Sequence, residues 1–61
     1  MAYRLIFDDL IHREVFFGNT PEAAVASARS TIDCYPEYRD MSDAEFAQYI
    51  QENDTEFEIK E

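Results

Sequence analysis

The six residues Met41-Ser42-Asp43-Ala44-Glu45-Phe46 constrain this chain more than any other stretch of it. Ser42 and Glu45 have the spacing of a capping box, in which each side chain accepts a hydrogen bond from the other's backbone N–H. Met41 before the cap and Phe46 at the fourth helical position have the spacing of a hydrophobic staple. A helix therefore starts at Asp43. Phe46, Tyr49 and Ile50 give it one apolar stripe, and Asn53 is placed to stop it in a left-handed conformation. The period then changes to two. In Thr55 to Lys60, Phe57 and Ile59 alternate with Glu56 and Glu58, which predicts a half-buried strand.

The residues before Met41 have room for a hairpin and one more helix. Tyr3 to Phe7 is dense in β-formers and stops at Asp8-Asp9, and Ile11 to Phe17 reads as a second strand ending at Gly18-Asn19. A turn within Asp8 to Leu10 joins them. Tyr3, Leu5 and Phe7 share a face of the first strand, and Val15 and Phe17 share a face of the second. Ile6 and Phe16 are then expected on the sheet's other side. Thr20 is a good N-cap, Pro21 suits the first helical position, and Glu22 complements the positive end of the helix dipole. That helix runs through Ala23 to Ile32 and ends near Asp33, because Tyr35 precedes Pro36.

The order ββααβ predicts one small α+β domain over residues 1–61. A mostly antiparallel three-stranded sheet carries two helices on one face. The third strand is placed beside the first, with its direction left open.

A chain of 61 residues buries only about 60% of its unfolded surface, which leaves little stability for a strained catalytic geometry. Its single cysteine, Cys34, cannot form an internal disulfide, and a free thiol fits a reducing compartment. The apolar start before Asp8 is too short for a signal peptide, and no apolar run approaches a membrane span. A cytoplasmic location is expected, the host's if the gene is carried by a phage.

Fourteen acidic residues face five basic ones, for a net charge of -9. Residues 33–61 carry ten of those acids with one arginine and one lysine, a net of -8, and residues 1–32 carry only -1. Phosphates would repel such a chain, so direct nucleic-acid binding is excluded. Docking on a basic protein surface is favoured instead. Asp54, Glu56 and Glu58 would stand on one strand face about 6.6 Å apart. Glu45 and Glu52 share a helix stripe. Glu37 and Asp40 flank Tyr35 and Tyr38, tyrosine being enriched among interface hot spots. These nine residues form the expected partner-binding set. Regularly spaced carboxylates attract the same Lys and Arg groups that neutralise a nucleic-acid backbone.

Catalytic constellations are sparse. Asp8, Asp9 and His12 gather around one turn, too few for a metal cage. Cys34 and His12 have no third orienting group, and one glycine cannot build a phosphate-cradling loop. No enzyme activity, metal or cofactor is expected. The rival to the acidic surface is an interface at Ile6 and Phe16, used by an accessory or antitoxin-like subunit, monomeric or homodimeric.

In size, charge, compact α+β layout and lack of catalytic motifs, the whole chain resembles the small acidic inhibitors made by phages and other mobile elements. These include anti-CRISPR proteins, anti-restriction DNA mimics and inhibitors of host polymerases. The resemblance implies a stoichiometric inhibitor that blocks the nucleic-acid path or the assembly of a host protein. It transfers no site residue.

Overall fold

A computed structural model describes residues 2–61. Strands β1 (Tyr3–Asp8) and β2 (Arg13–Gly18) form the hairpin. Asp9 builds its turn: Oδ1 accepts the backbone N–H of Ile11 at 2.9 Å and of His12 at 2.7 Å. Such an Asx turn closes the chain without a left-handed residue. It centres the register between Leu10 and Ile11, so Leu5 lies opposite Phe16, Ile6 opposite Val15, and Arg4 opposite Phe17. The expected facing is thereby corrected. Phe16 shares Leu5's face and packs against the core, and Val15 and Phe17 join Ile6 on the opposite one. Because side chains alternate with period two, the position of the turn decides which set faces inward.

Thr20 caps α1 (Pro21–Ser27), its Oγ1 accepting the Ala23 N–H at 3.1 Å. The expected single helix breaks at Ala28 (φ -97°, ψ 10°) and resumes as α2 (Arg29–Ile32). The Ala28 N–H is shared between the carbonyls of Ala24 at 3.2 Å and Val25 at 3.0 Å, a tightened turn. Tyr35 is extended (φ -105°, ψ 114°), as a residue before proline prefers. Pro36 then opens a one-turn helix, α3 (Pro36–Arg39), between the two expected helices. Helix α4 (Asp43–Glu52) carries both halves of the capping box. Ser42 Oγ accepts the Glu45 N–H at 3.2 Å, and Glu45 Oε1 accepts the Ser42 N–H at 2.9 Å. Asn53 is extended rather than left-handed (φ -133°, ψ 154°), and its Nδ2 donates to the Tyr49 carbonyl at 2.9 Å. A side-chain amide thus ends the helix. Four helical segments stand where two were expected, and the order is ββααααβ.

Strand β3 (Phe57–Lys60) pairs antiparallel with β1, giving the order β2-β1-β3. Leu5, Phe7 and Phe57 contribute the sheet's share of a core completed by Val25, Ile32 and Phe46. Phe46 is central to it: its ring lies 4.9 Å from Tyr38 and 5.2 Å from Phe57, edge to face in both cases. Burying such a side chain contributes about 1.5–3 kcal/mol. Gly18 lets α1 close on β2, because a Cβ there would sit 2.3 Å from the Ala24 nitrogen.

Arg29 ties the helical segments together. Its guanidinium donates to Asp33 (3.0 Å), Asp43 (3.2 Å) and the carbonyls of Arg39 and Met41 (both 2.8 Å). Hydroxyls close parts of both sheet edges. Thr55 Oγ1 accepts the Phe57 N–H and donates to the Phe57 carbonyl, each at 3.0 Å. Ser27 Oγ donates to the Phe17 carbonyl at 2.8 Å. Among the described residues no helix is long and apolar enough to cross a membrane.

Candidate functional site

The expected partner-binding residues divide among three environments. Tyr35 and Tyr38 join the aromatic cluster: their rings lie 5.9 Å apart and stand 5.9 and 5.8 Å from Phe57. Tyr38 is only 6% exposed, so its ring is a core element and not a surface anchor. Tyr35 is half-buried. Burial pushes the Tyr38 phenol up to about 12, and the neighbouring Glu56 carboxylate adds to this. Burial also raises Tyr35, with Glu56 again contributing. The expectation that both tyrosines stand among carboxylates as surface anchors fails for Tyr38 because Pro36 winds the segment into α3. That turn carries Tyr38 inward beneath Phe46.

Glu56 also departs from its expected place. It lies in a bend before β3, and its Oε1 is 3.4 Å from the Tyr38 hydroxyl. The row Asp54, Glu56, Glu58 is therefore interrupted. Glu58 lies opposite Ile6 and pairs with Lys60 at 3.4 Å. Asp54 and Glu58 instead line a shallow groove of 540 Å³ with Gln51, Asn53 and Thr55, where α4 turns toward β3. Polar groups of that kind suit a cationic side chain better than an apolar one.

On α4, Glu45, Gln48 and Glu52 form the exposed stripe the helical period requires. Glu45 Oε1 is held by the Ser42 N–H, which keeps its carboxyl below the usual carboxylate range. Glu52 accepts from Gln48 at 3.0 Å. Glu37 and Asp40 are exposed on either side of Tyr38. Ion pairing absorbs little of the charge. Glu14, Asp33, Asp43 and Glu58 are the paired carboxylates among the described residues, which leaves ten of the fourteen acids without a cation. Among the described residues, no group of three or more His, Cys, Asp or Glu side chains is placed to hold a metal ion. Cys34 is exposed, its thiol directed to the Ser30 carbonyl at 3.4 Å.

The second interface candidate changes its membership. Phe16 is inside, and Ile6 is only 8% exposed although it lies outside the core cluster. Phe17 at 61% and Val15 at 38% are the exposed apolar residues of that face. At the hairpin tip Leu10 and Ile11 are almost wholly exposed, at 102% and 94%. The sequence signal for these residues is the Asx-turn capacity of Asp9, which centres the turn between Leu10 and Ile11, past the expected Asp8 to Leu10.

Compared with known protein families, curated protein sequences and solved structures, the chain matches none.

Proposed function

We propose that this protein is a non-catalytic acidic inhibitor that docks on the basic surface of a nucleic-acid-handling protein in the cytoplasm and occupies the place of phosphates. The observation that carries this reading is the uncompensated charge: ten carboxylates without a cation among the described residues, seven of them in residues 33–61. Rigid attachment strengthens it: Glu45 is fixed by the capping box and Glu52 by Gln48. A carboxylate held in place gives up less side-chain entropy on meeting a Lys or Arg than a free one does. Tyr38 leaves the contact set because it is buried; Tyr35, half-exposed, stays in it.

The test is capture of a partner from a bacterial lysate at low and at high salt, read by mass spectrometry. Charge-driven docking weakens steeply as salt screens it, and single exposed pairs contribute only about 0–1 kcal/mol. Glu37, Asp40, Glu52 and Asp54 are therefore reversed to lysine together. The reading predicts a nucleic-acid-binding partner lost at high salt and lost with the fourfold reversal. A partner held equally in both salts and by the reversed variant would overturn it.

A further inference from the structure

Three of the five basic residues lie on one side of the sheet. In register, the outward side chains form the rows Phe17–Arg4–Lys60, Val15–Ile6–Glu58 and Arg13–Asp8. Its five charged residues sum to +1, so the rest of the molecule carries -10 of the net -9. Two copies of such a molecule repel one another in every orientation that brings the acidic sides together. The open sheet face is where they can meet.

We propose that this face binds a second copy of the chain, face to face about a two-fold axis that runs across the strands through the Val15–Ile6 row. The pattern of the face is self-complementary about that axis. Arg4 of each copy comes over Asp8 of the other, twice by symmetry. Phe17 comes over Arg13, a pairing in which a guanidinium can stack on the ring. Val15, 38% exposed, meets its own counterpart beside Ile6, of which only 8% is exposed, and the two give a small apolar centre. Glu58 meets its counterpart at the sheet margin, where Lys60 stands 3.4 Å away in each copy and offsets the like charge. Arg4 and Asp8 are four residues apart on an extended strand, about 13 Å, too far to pair within one chain. The acidic helical side points outward from both copies and stays available for the basic partner.

The size of the face sets the strength. Strands about 4.8 Å apart, rising about 3.3 Å per residue, give a footprint of roughly 300 Å² per copy. That is about 600 Å² in total, below the roughly 1,200 Å² at which standard specific interfaces begin, so the dimer is a weak one, to be sought at roughly 0.1–1 mM protein.

The experiment is sedimentation equilibrium of the purified chain over that range, with circular dichroism confirming that each variant is folded. The wild type should move from 7.2 kDa toward twice that mass. Arg4→Glu alone and Asp8→Arg alone should each weaken association by about tenfold or more, since each places like charges together twice. Mixing the two variants should restore it, because each introduced charge then meets its opposite on the other chain. Phe17→Ser should abolish it, and Leu10→Ser with Ile11→Ser should leave it intact. A wild type that remains 7.2 kDa throughout overturns the proposal, as does a mixture that associates no better than its components. Loss of the dimer in the hairpin-tip variant with the face variants unaffected overturns it equally. None of these readouts involves the basic partner, so they stand or fall apart from it.

Discussion

Gly18→Ala is the substitution whose outcome the packing defines most sharply. The methyl group would lie 2.3 Å from the Ala24 nitrogen, 2.5 Å from the Ala23 carbonyl carbon and 2.8 Å from the Ala23 Cβ. Two of these are backbone atoms, which cannot rotate aside. Ordinary contact requires about 1 Å of additional separation, so the first turn of α1 must lift from β2. It carries Ala24 and Val25 with it, both 0% exposed, and loosens their contact with Leu5 and Phe46 in the same cluster. Overpacking of this kind costs about 1–3 kcal/mol. Domains of this size are stable by only about 3–9 kcal/mol at about 0.05–0.15 kcal/mol per residue. At about 4–8 °C per kcal/mol, the melting temperature should fall by roughly 5–20 °C. Urea titration followed by circular dichroism should show a lower midpoint with an unchanged slope. Asn19→Ala, at an exposed neighbour, should stay within about 0.5 kcal/mol. A Gly18→Ala protein as stable as wild type would refute the reasoning, because α1 could not then lie on β2 as described.

Three further perturbations probe the N-terminus of α4 and the aromatic cluster. Ser42→Ala should cost about 1 kcal/mol in the same urea assay, since the Glu45 N–H loses its acceptor; an unchanged midpoint would deny the box any energetic role. Glu45 has a folded-state pKa below its ordinary value of 4.5, so its contribution is complete above that pH and is lost as pH falls below it. Glu45→Gln should therefore be less stable than wild type at neutral pH, and the gap should close in acid. Tyr38 runs the other way: raised from 10.0 to about 12, it stabilises the fold below pH 10 and loses that contribution as pH climbs toward 12. Phenolate absorbance should show one tyrosine ionising last, and Tyr38→Phe should remove that step and the associated alkaline loss of stability. Complete ionisation of all tyrosines near their ordinary value with the fold intact would contradict the buried placement.

Three local signals lie in the sequence as the structure shows them. The capping box at Ser42 and Glu45, the cap at Thr20 and the constraint of Pro36 on Tyr35 all act within three residues, and all appear as expected. The alternation of Phe57 and Ile59 likewise set β3 beside the core. What escaped is the site of the hairpin turn and whatever depends on longer range. Val15, Phe16 and Phe17 are apolar in succession, so alternation alone assigns no inward side; Asp9, by its bonds to Ile11 and His12, chooses Phe16. The break at Ala28 has no glycine or proline to announce it. Arg29, next to it, finds acceptors on Arg39, Met41 and Asp43, contacts ten to fourteen residues away that no local pattern encodes. The acidic row failed at Glu56 for a similar reason, its carboxylate lying by the hydroxyl of a tyrosine eighteen residues earlier.

The hydroxyls of Thr55 and Ser27 bear on what this chain does when crowded. A sheet with two bare edges can add strands without end, and that is the route to fibres. Here Thr55 occupies both outward backbone groups of Phe57, and Ser27 occupies the Phe17 carbonyl. A passing strand finds those bonding positions taken, and the stretch of β2 left over is flanked by the charges of Arg13 and Glu14. Polymerisation along the ladder is thus stopped chemically at two points, with no proline or bulge needed. Contact across a two-fold axis on the flat of the sheet ends at a pair, since each copy uses its whole surface of that kind at once. If the proposed face-to-face pair forms, association of this domain stops at two copies, because the same contact leaves no second face of that kind to extend it.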